Sequence, residues 1–236
     1  MPKGVLFSIA DLVPTLVKVV QHFEWKHFMY IGWSLGVAIG KIFDIAYPGI
    51  ITRTVELDPV PAHHTWPTTR EDLKDWYQYY YSYYEDGKYK KSNAGVETAP
   101  KYSYEKAREL LINARGLTEE ASEHAIERVL TPVADGLYRF TFDQRMKRVP
   151  VLPFSGEILQ RIYTTSKTPT LGIIASQTLA AGVFDRTPFV TDPKLWPHMN
   201  YSCKVVEGGH DVHINSPELM ADDIGKFLMD EMKAKL

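Results

Sequence analysis

The stretch HFMYIGWSLGVAIG, residues 27–40, constrains this chain more than any other. A short apolar run ends in Gly32-Trp33-Ser34-Leu35-Gly36, and a second apolar run follows at once. Phe28 to Ile31 reads as a buried strand, and Val37 to Tyr47 as a helix stopped by Pro48-Gly49. A serine between two glycines at a strand-to-helix junction marks a tight, strained turn. The glycines let neighbouring backbone pass without Cβ clashes, and the hydroxyl projects above the sheet. The following helix aims its N-terminus at that hydroxyl, where its dipole favours developing negative charge. With 11 serines and 15 glycines in 236 residues, chance places such a pentapeptide only about 0.04 times per chain. Gly-x-Ser-x-Gly in this setting is the signature of a nucleophile elbow. Ser34 is therefore the candidate nucleophile, and the Leu35 backbone N–H a candidate oxyanion donor.

A serine nucleophile needs a base and a group to orient it. Of eight histidines, His210 follows Gly208-Gly209 in the loop after the last strand, where the chain order of such enzymes puts the base. His213 is its only serious rival and reads as a pocket residue. The acid has two candidates. The loop after the strand Thr170–Ala175, the usual position, reads Ser176-Gln177-Thr178-Leu179-Ala180 and carries no carboxylate. Asp58 ends the strand Thr52–Leu57, next to the elbow strand. Adjacent parallel strands bring their C-terminal ends to one edge, so Asp58 and Ser34 should open onto one crevice. Asp58 ranks first and Asp185 second.

Strand–helix alternation occupies both ends of the chain, and the middle reads as helical. Asp11 to about Phe23 has helical spacing with Asp11 as candidate N-cap. In DLKDWYQYYYSYYEDG, Leu73, Trp76, Tyr77, Tyr80, Tyr81 and Tyr84 share one helix face. Such a stripe is first a packing face, though tyrosine's polar tip also suits a wet-mouthed pocket. Ser103 and Thr118 are candidate N-caps of two further helices. The expected organisation is an α/β sheet in residues 1–59 and 166–236 with a helical insertion at 60–165. Trp33, His213, Tyr80 and Tyr81 are the candidate substrate-pocket residues.

Composition narrows the partners. A net charge of −2 with no basic face argues against nucleic acid. The single cysteine, Cys203, allows no intrachain disulfide and fits a reducing compartment. No apolar run approaches 18 residues, and the N-terminus lacks signal-peptide order. The C-terminal Lys233-Ala234-Lys235-Leu236 is similar to a peroxisomal address read by an import receptor; peroxisome or cytoplasm is the expectation. No metal or organic cofactor is implied, because the histidines show no ligand spacing beyond His210 and His213. The partner expected is a small-molecule ester.

With GWSLG, VELDPV and VVEGGHDVHINSPELMADDIGKFL in hand, the chain resembles the α/β-hydrolase fold superfamily, and more narrowly the kraken-type serine hydrolase-like proteins. HFEWKHFMYIGWSLGVAIGKIF matches their elbow region, with Trp33 where they usually have His, and FDQRM also fits. The resemblance implies an α/β-hydrolase fold with a helical cap and a Ser–His–acid hydrolase, with Ser34 as nucleophile and His210 as base. It also implies that the N-terminal strands are missing, since only about 30 residues precede the elbow and no His-Gly loop is present to supply a second oxyanion N–H. The elbow strand would then be an exposed edge, open to pairing or aggregation. Two readings follow: a carboxylic ester or thioester hydrolase, or an impaired hydrolase-like protein acting as a binding module or fragment.

Overall fold

The computed structural model describes residues 9–61, 69–85, 98–148 and 154–229. In chain order these begin with α1 (Val13–His22), β1 (Phe28–Trp33), α2 (Leu35–Ala46) and β2 (Ile51–Leu57). Next come α3 (Arg70–Glu85), α4 (Tyr104–Arg115), α5 (Glu119–Val129), β3 (Leu130–Ala134) and β4 (Leu137–Phe140). The last are α6 (Gly156–Thr164), β5 (Thr170–Ala175), α7 (Ser176–Ala180), β6 (Tyr201–Val206), α8 (Val212–Asn215) and α9 (Ala221–Met229). The described residues divide into two compact units, 69–148 in one and 9–61 with 154–229 in the other. The C-terminal Lys-Ala-Lys-Leu lies outside the described residues.

The sheet unit is built on four parallel strands in the order β1-β2-β5-β6. All six residues of β5 are buried, as suits an interior parallel strand whose two faces both carry helices. Its apolar run, bounded by Pro169 and Ser176, is what makes it legible as a strand. On one face Val55, Leu57, Leu171, Ile173 and Val206 pack with Ile224, Phe227 and Leu228 of α9. Arg53 reaches across to donate to the Phe227 carbonyl of α9 at 2.7 Å. On the other face α1 and α2 bury Val13, Val20, Phe43 and Ile51, while Val37, Leu159, Tyr163 and Ile174 form a second cluster. Full burial of residues such as Phe43 and Val37 stabilises by roughly 1.5–3 kcal/mol each. Lys41 and Glu56 form a buried ion pair at 2.6 Å beneath this face.

Three expectations change here. The insertion is narrower than 60–165: α6 belongs to the sheet unit, because Leu159 and Tyr163 pack with Val37 and Ile174. Asp11 does not cap α1. It lies in a 3-10 turn, Ile9–Leu12, and α1 starts at Val13 without a side-chain cap. The inserted unit is also not wholly helical, since β3 and β4 pair antiparallel across Asp135-Gly136, with Gly136 at φ 65°. Asp-Gly is a strong hairpin signal and could have revealed it. Ser103 and Thr118 do cap α4 and α5, accepting from the Lys106 and Ala121 N–H groups. Leu73 and Tyr77 of the α3 stripe are each 52% exposed. The side chains of Tyr80 and Tyr81 lie outside the described residues.

Candidate active site

Strand register sets the site. Trp33 pairs with Leu57 in the parallel ladder, so β1 and β2 end level with one another. The Ser34 N–H donates to the Leu57 carbonyl at 3.0 Å, and the chain then turns into α2. Ser34 sits at φ 51°, ψ −116°. A non-glycine residue in such a region costs about 1–3 kcal/mol and is held only where its surroundings impose it. Gly32 shows the constraint: a Cβ there would lie 2.9 Å from the backbone of both Gly36 and Val37. Gly36 itself has room, its nearest neighbour being the Tyr30 hydroxyl at 3.8 Å. The second steric demand falls on Gly40, where a Cβ would clash with the Tyr30 ring. Tyr30 packs there and donates its hydroxyl to the Gly36 carbonyl at 2.6 Å, and burial raises its pKa. Leu35 opens α2, and the first N–H groups of a helix have no intrahelical acceptor.

Asp58 follows β2 directly, at φ 41°, and donates its N–H to the Ile173 carbonyl at 2.7 Å. Its carboxyl is 1% exposed and meets three groups. Oδ1 accepts the Ala175 N–H at 2.9 Å, and Oδ2 accepts the Thr178 hydroxyl at 2.6 Å. His210 Nδ1 lies 2.6 Å from the same Oδ2. With Nδ1 engaged, Nε2 is the ring nitrogen left for a proton acceptor's task.

The loop that carries His210 is held from two sides. Gly208, at φ 140°, donates its N–H to Ser176 Oγ at 3.1 Å, and its carbonyl accepts the Gln177 N–H at 3.0 Å. From the elbow side, Trp33 Nε1–H donates to the His210 carbonyl at 2.9 Å. The Trp33 ring also lies 5.0 Å from the rings of both His210 and His213. Trp33 precedes Ser34, so serine, imidazole and carboxyl share the C-terminal edge of the sheet. The alternative acid, Asp185, is not brought to this place. It is exposed on the turn at Gly182, and its N–H donates to the Gly182 carbonyl at 3.2 Å. Ser176 and Thr178 enter the site through their hydroxyls, a signal that a search of their loop for carboxylates does not register. Among the described residues no cluster of His, Cys, Asp or Glu is arranged to hold a metal ion, and no helix is long and apolar enough to cross a membrane.

No family model matches the chain. The serine hydrolase-like protein of Danio rerio is 26% identical over 98% of this chain and 69% of its own length. Among solved structures, a hypothetical protein of Pseudomonas aeruginosa PAO1 superposes with a TM-score of 0.70 at 20% identity, covering 96% of this chain and 75% of that one. A thioesterase domain from the curacin biosynthetic pathway gives a TM-score of 0.67 at 16% identity, covering 93% and 74%. The chain has the α/β-hydrolase fold. In this fold the elbow strand β1 pairs, among the described residues, with β2 alone. Met29 and Ile31, which alternate outward on it, are each 49% exposed.

Proposed function

We propose that this chain is a serine hydrolase that cleaves a carboxylic ester or thioester through an acyl-enzyme. The observation that carries the reading is the 2.6 Å contact between His210 Nδ1 and buried Asp58, at the sheet edge where Ser34 is held in a strained turn. The likeness to a serine hydrolase-like protein supports it. Ser34 Oγ attacks the acyl carbon as His210 Nε2 takes its proton. The resulting oxyanion is held by the Leu35 N–H at the start of α2. Collapse breaks the bond to the alcohol or thiol, which leaves with the proton from Nε2. Water then attacks the acyl carbon, His210 takes its proton, and the acid departs as Ser34 is restored. Asp58 keeps the imidazole oriented with Nδ1 toward itself.

The exposed outer side of β1 favours a second reading, a hydrolase-like chain that binds rather than turns over. Fluorophosphonate labelling of the purified chain, followed by peptide mapping, separates the two. The hydrolase reading expects label on Ser34 that is lost in Ser34→Ala and His210→Ala. A folded chain that takes no label favours the binding reading. The terminal Ala-Lys-Leu supports peroxisomal import by a receptor as a further part of this proposal.

A further inference from the structure

The loop after β5 lacks a carboxylate, yet it surrounds one. Ala175 N–H and the Thr178 hydroxyl both donate to Asp58, which arrives from the neighbouring strand. A carboxylate oxygen accepts through two lone-pair positions. At Oδ2 one is taken by Thr178 and the other faces His210 Nδ1, both at 2.6 Å. The carboxyl is 1% exposed, so water is a poor substitute for either donor. We infer that Thr178 is a positioning residue: its hydroxyl locks the Asp58 carboxyl in the plane that holds the His210 imidazole. The kinetic consequence rests on the hydrolase reading; the geometric one does not.

The direction of the hydrogen bonds makes the argument specific. An ionised carboxylate only accepts, so the single Thr178 proton goes to Oδ2 and the remaining donor there is His210 Nδ1–H. That fixes the tautomer with a bare Nε2. The torsion that turns a carboxyl has a broad, roughly two-fold profile and supplies little restraint of its own. Ala175 N–H pins Oδ1, and Thr178 pins Oδ2. Thr178 is itself placed by α7, whose first two residues grip the His210 loop: Ser176 Oγ accepts the Gly208 N–H, and the Gln177 N–H reaches the Gly208 carbonyl. One short helix therefore positions both the carboxyl and the loop that brings the imidazole to it. Thr178 is argued to act through Asp58, and no contact with substrate is required of it.

The test compares Thr178→Val, which keeps the shape and removes the hydroxyl, with Thr178→Ser, which keeps the hydroxyl. Two readouts are taken on the full chain: kcat and KM with p-nitrophenyl acetate, and the far-downfield proton NMR resonance of His210 Nδ1–H, assigned by its absence in His210→Ala. Thr178→Val should lower kcat roughly tenfold, the scale of one hydrogen bond to a charged group, with KM unchanged and the resonance shifted or broadened. Thr178→Ser should restore both. An unchanged resonance in Thr178→Val overturns the inference, as does a Thr178→Ser variant that behaves like Thr178→Val. Unfolding of Thr178→Val alone would assign the hydroxyl to stability and also overturn it. An inactive but folded wild type defeats the hydrolase reading, while the resonance still decides the role of Thr178.

Discussion

Replacing Asp58 with Asn tests the site most sharply, because the structure limits what the amide can do. In one orientation the amide oxygen takes the Ala175 N–H, as Oδ1 does at 2.9 Å. The NH2 group then stands in place of Oδ2 and faces His210 Nδ1 and the Thr178 hydroxyl. Thr178 can turn its proton away and accept. His210 Nδ1 must also accept, so the ring proton moves to Nε2 and the base is lost. In the flipped orientation the NH2 group meets the Ala175 N–H, donor against donor, in a site that is 1% exposed. Leaving such a buried donor unsatisfied costs about 1–3 kcal/mol, a factor of roughly 5–150 in population. The flipped form also lacks the negative charge beside the imidazole. The expected loss in kcat is therefore ~10³–10⁴, the scale seen when a Ser-His-Asp site holds the wrong tautomer. Initial rates with p-nitrophenyl acetate measure it, and circular dichroism melts confirm that the variant is folded. Asp185→Asn, made in parallel, should leave the rate unchanged. A folded Asp58→Asn enzyme within about tenfold of wild type would refute the reasoning.

Other outcomes follow from the same structure. Gly40→Ala should lower stability by about 1–3 kcal/mol through overpacking against the Tyr30 ring, whereas Gly36→Ala should be neutral or slightly stabilising; equal effects in thermal melts would contradict the assignment of the steric demand to Gly40. Asp143 has its pKa lowered, chiefly by the Arg145 side chain, which donates to it at 3.0 and 2.6 Å. A depressed carboxyl stabilises above its unfolded pKa and loses that contribution as pH falls through the folded one. Asp143→Asn should thus melt earlier than wild type at neutral pH, and the gap should close below about pH 4; a gap independent of pH would exclude the ion pair as its source. A fluorescent protein carrying the last residues of this chain should enter catalase-positive puncta and lose them on deletion of Leu236, and diffuse fluorescence from the intact tail would reject import.

The fold was legible because its signals are short-range. β2 is rich in β-branched residues and β5 is an apolar run, closed by Asp58-Pro59 and by the polar residues after Ala175 respectively. Their alternation with helices is enough to indicate a parallel sheet. The resemblance in the elbow and terminal segments extended this to the α/β-hydrolase fold, and the structural similarities agree. What was missed was also local in part: the Asp135-Gly136 hairpin carried its own signal inside a stretch read as helical. The limit of the inserted unit was not local. Residues 156–164 are amphipathic wherever they dock, and only the packing of Leu159 and Tyr163 with Val37 and Ile174 assigns them to the sheet unit.

The sequence by itself determined that Ser34 would occupy a strained strand-to-helix turn. Gly32 must admit the backbone of a helix that begins three residues after it, and a constraint of that range is written in neighbouring residues. Which carboxyl meets His210 was decided only by tertiary structure. Asp58 and His210 are 152 residues apart, and Asp58 and Thr178 120. They meet because β2, β5 and β6 lie side by side in parallel register, so that three distant chain segments end at one edge. No periodicity reports that register in advance; it follows from which apolar faces pack together when the sheet forms.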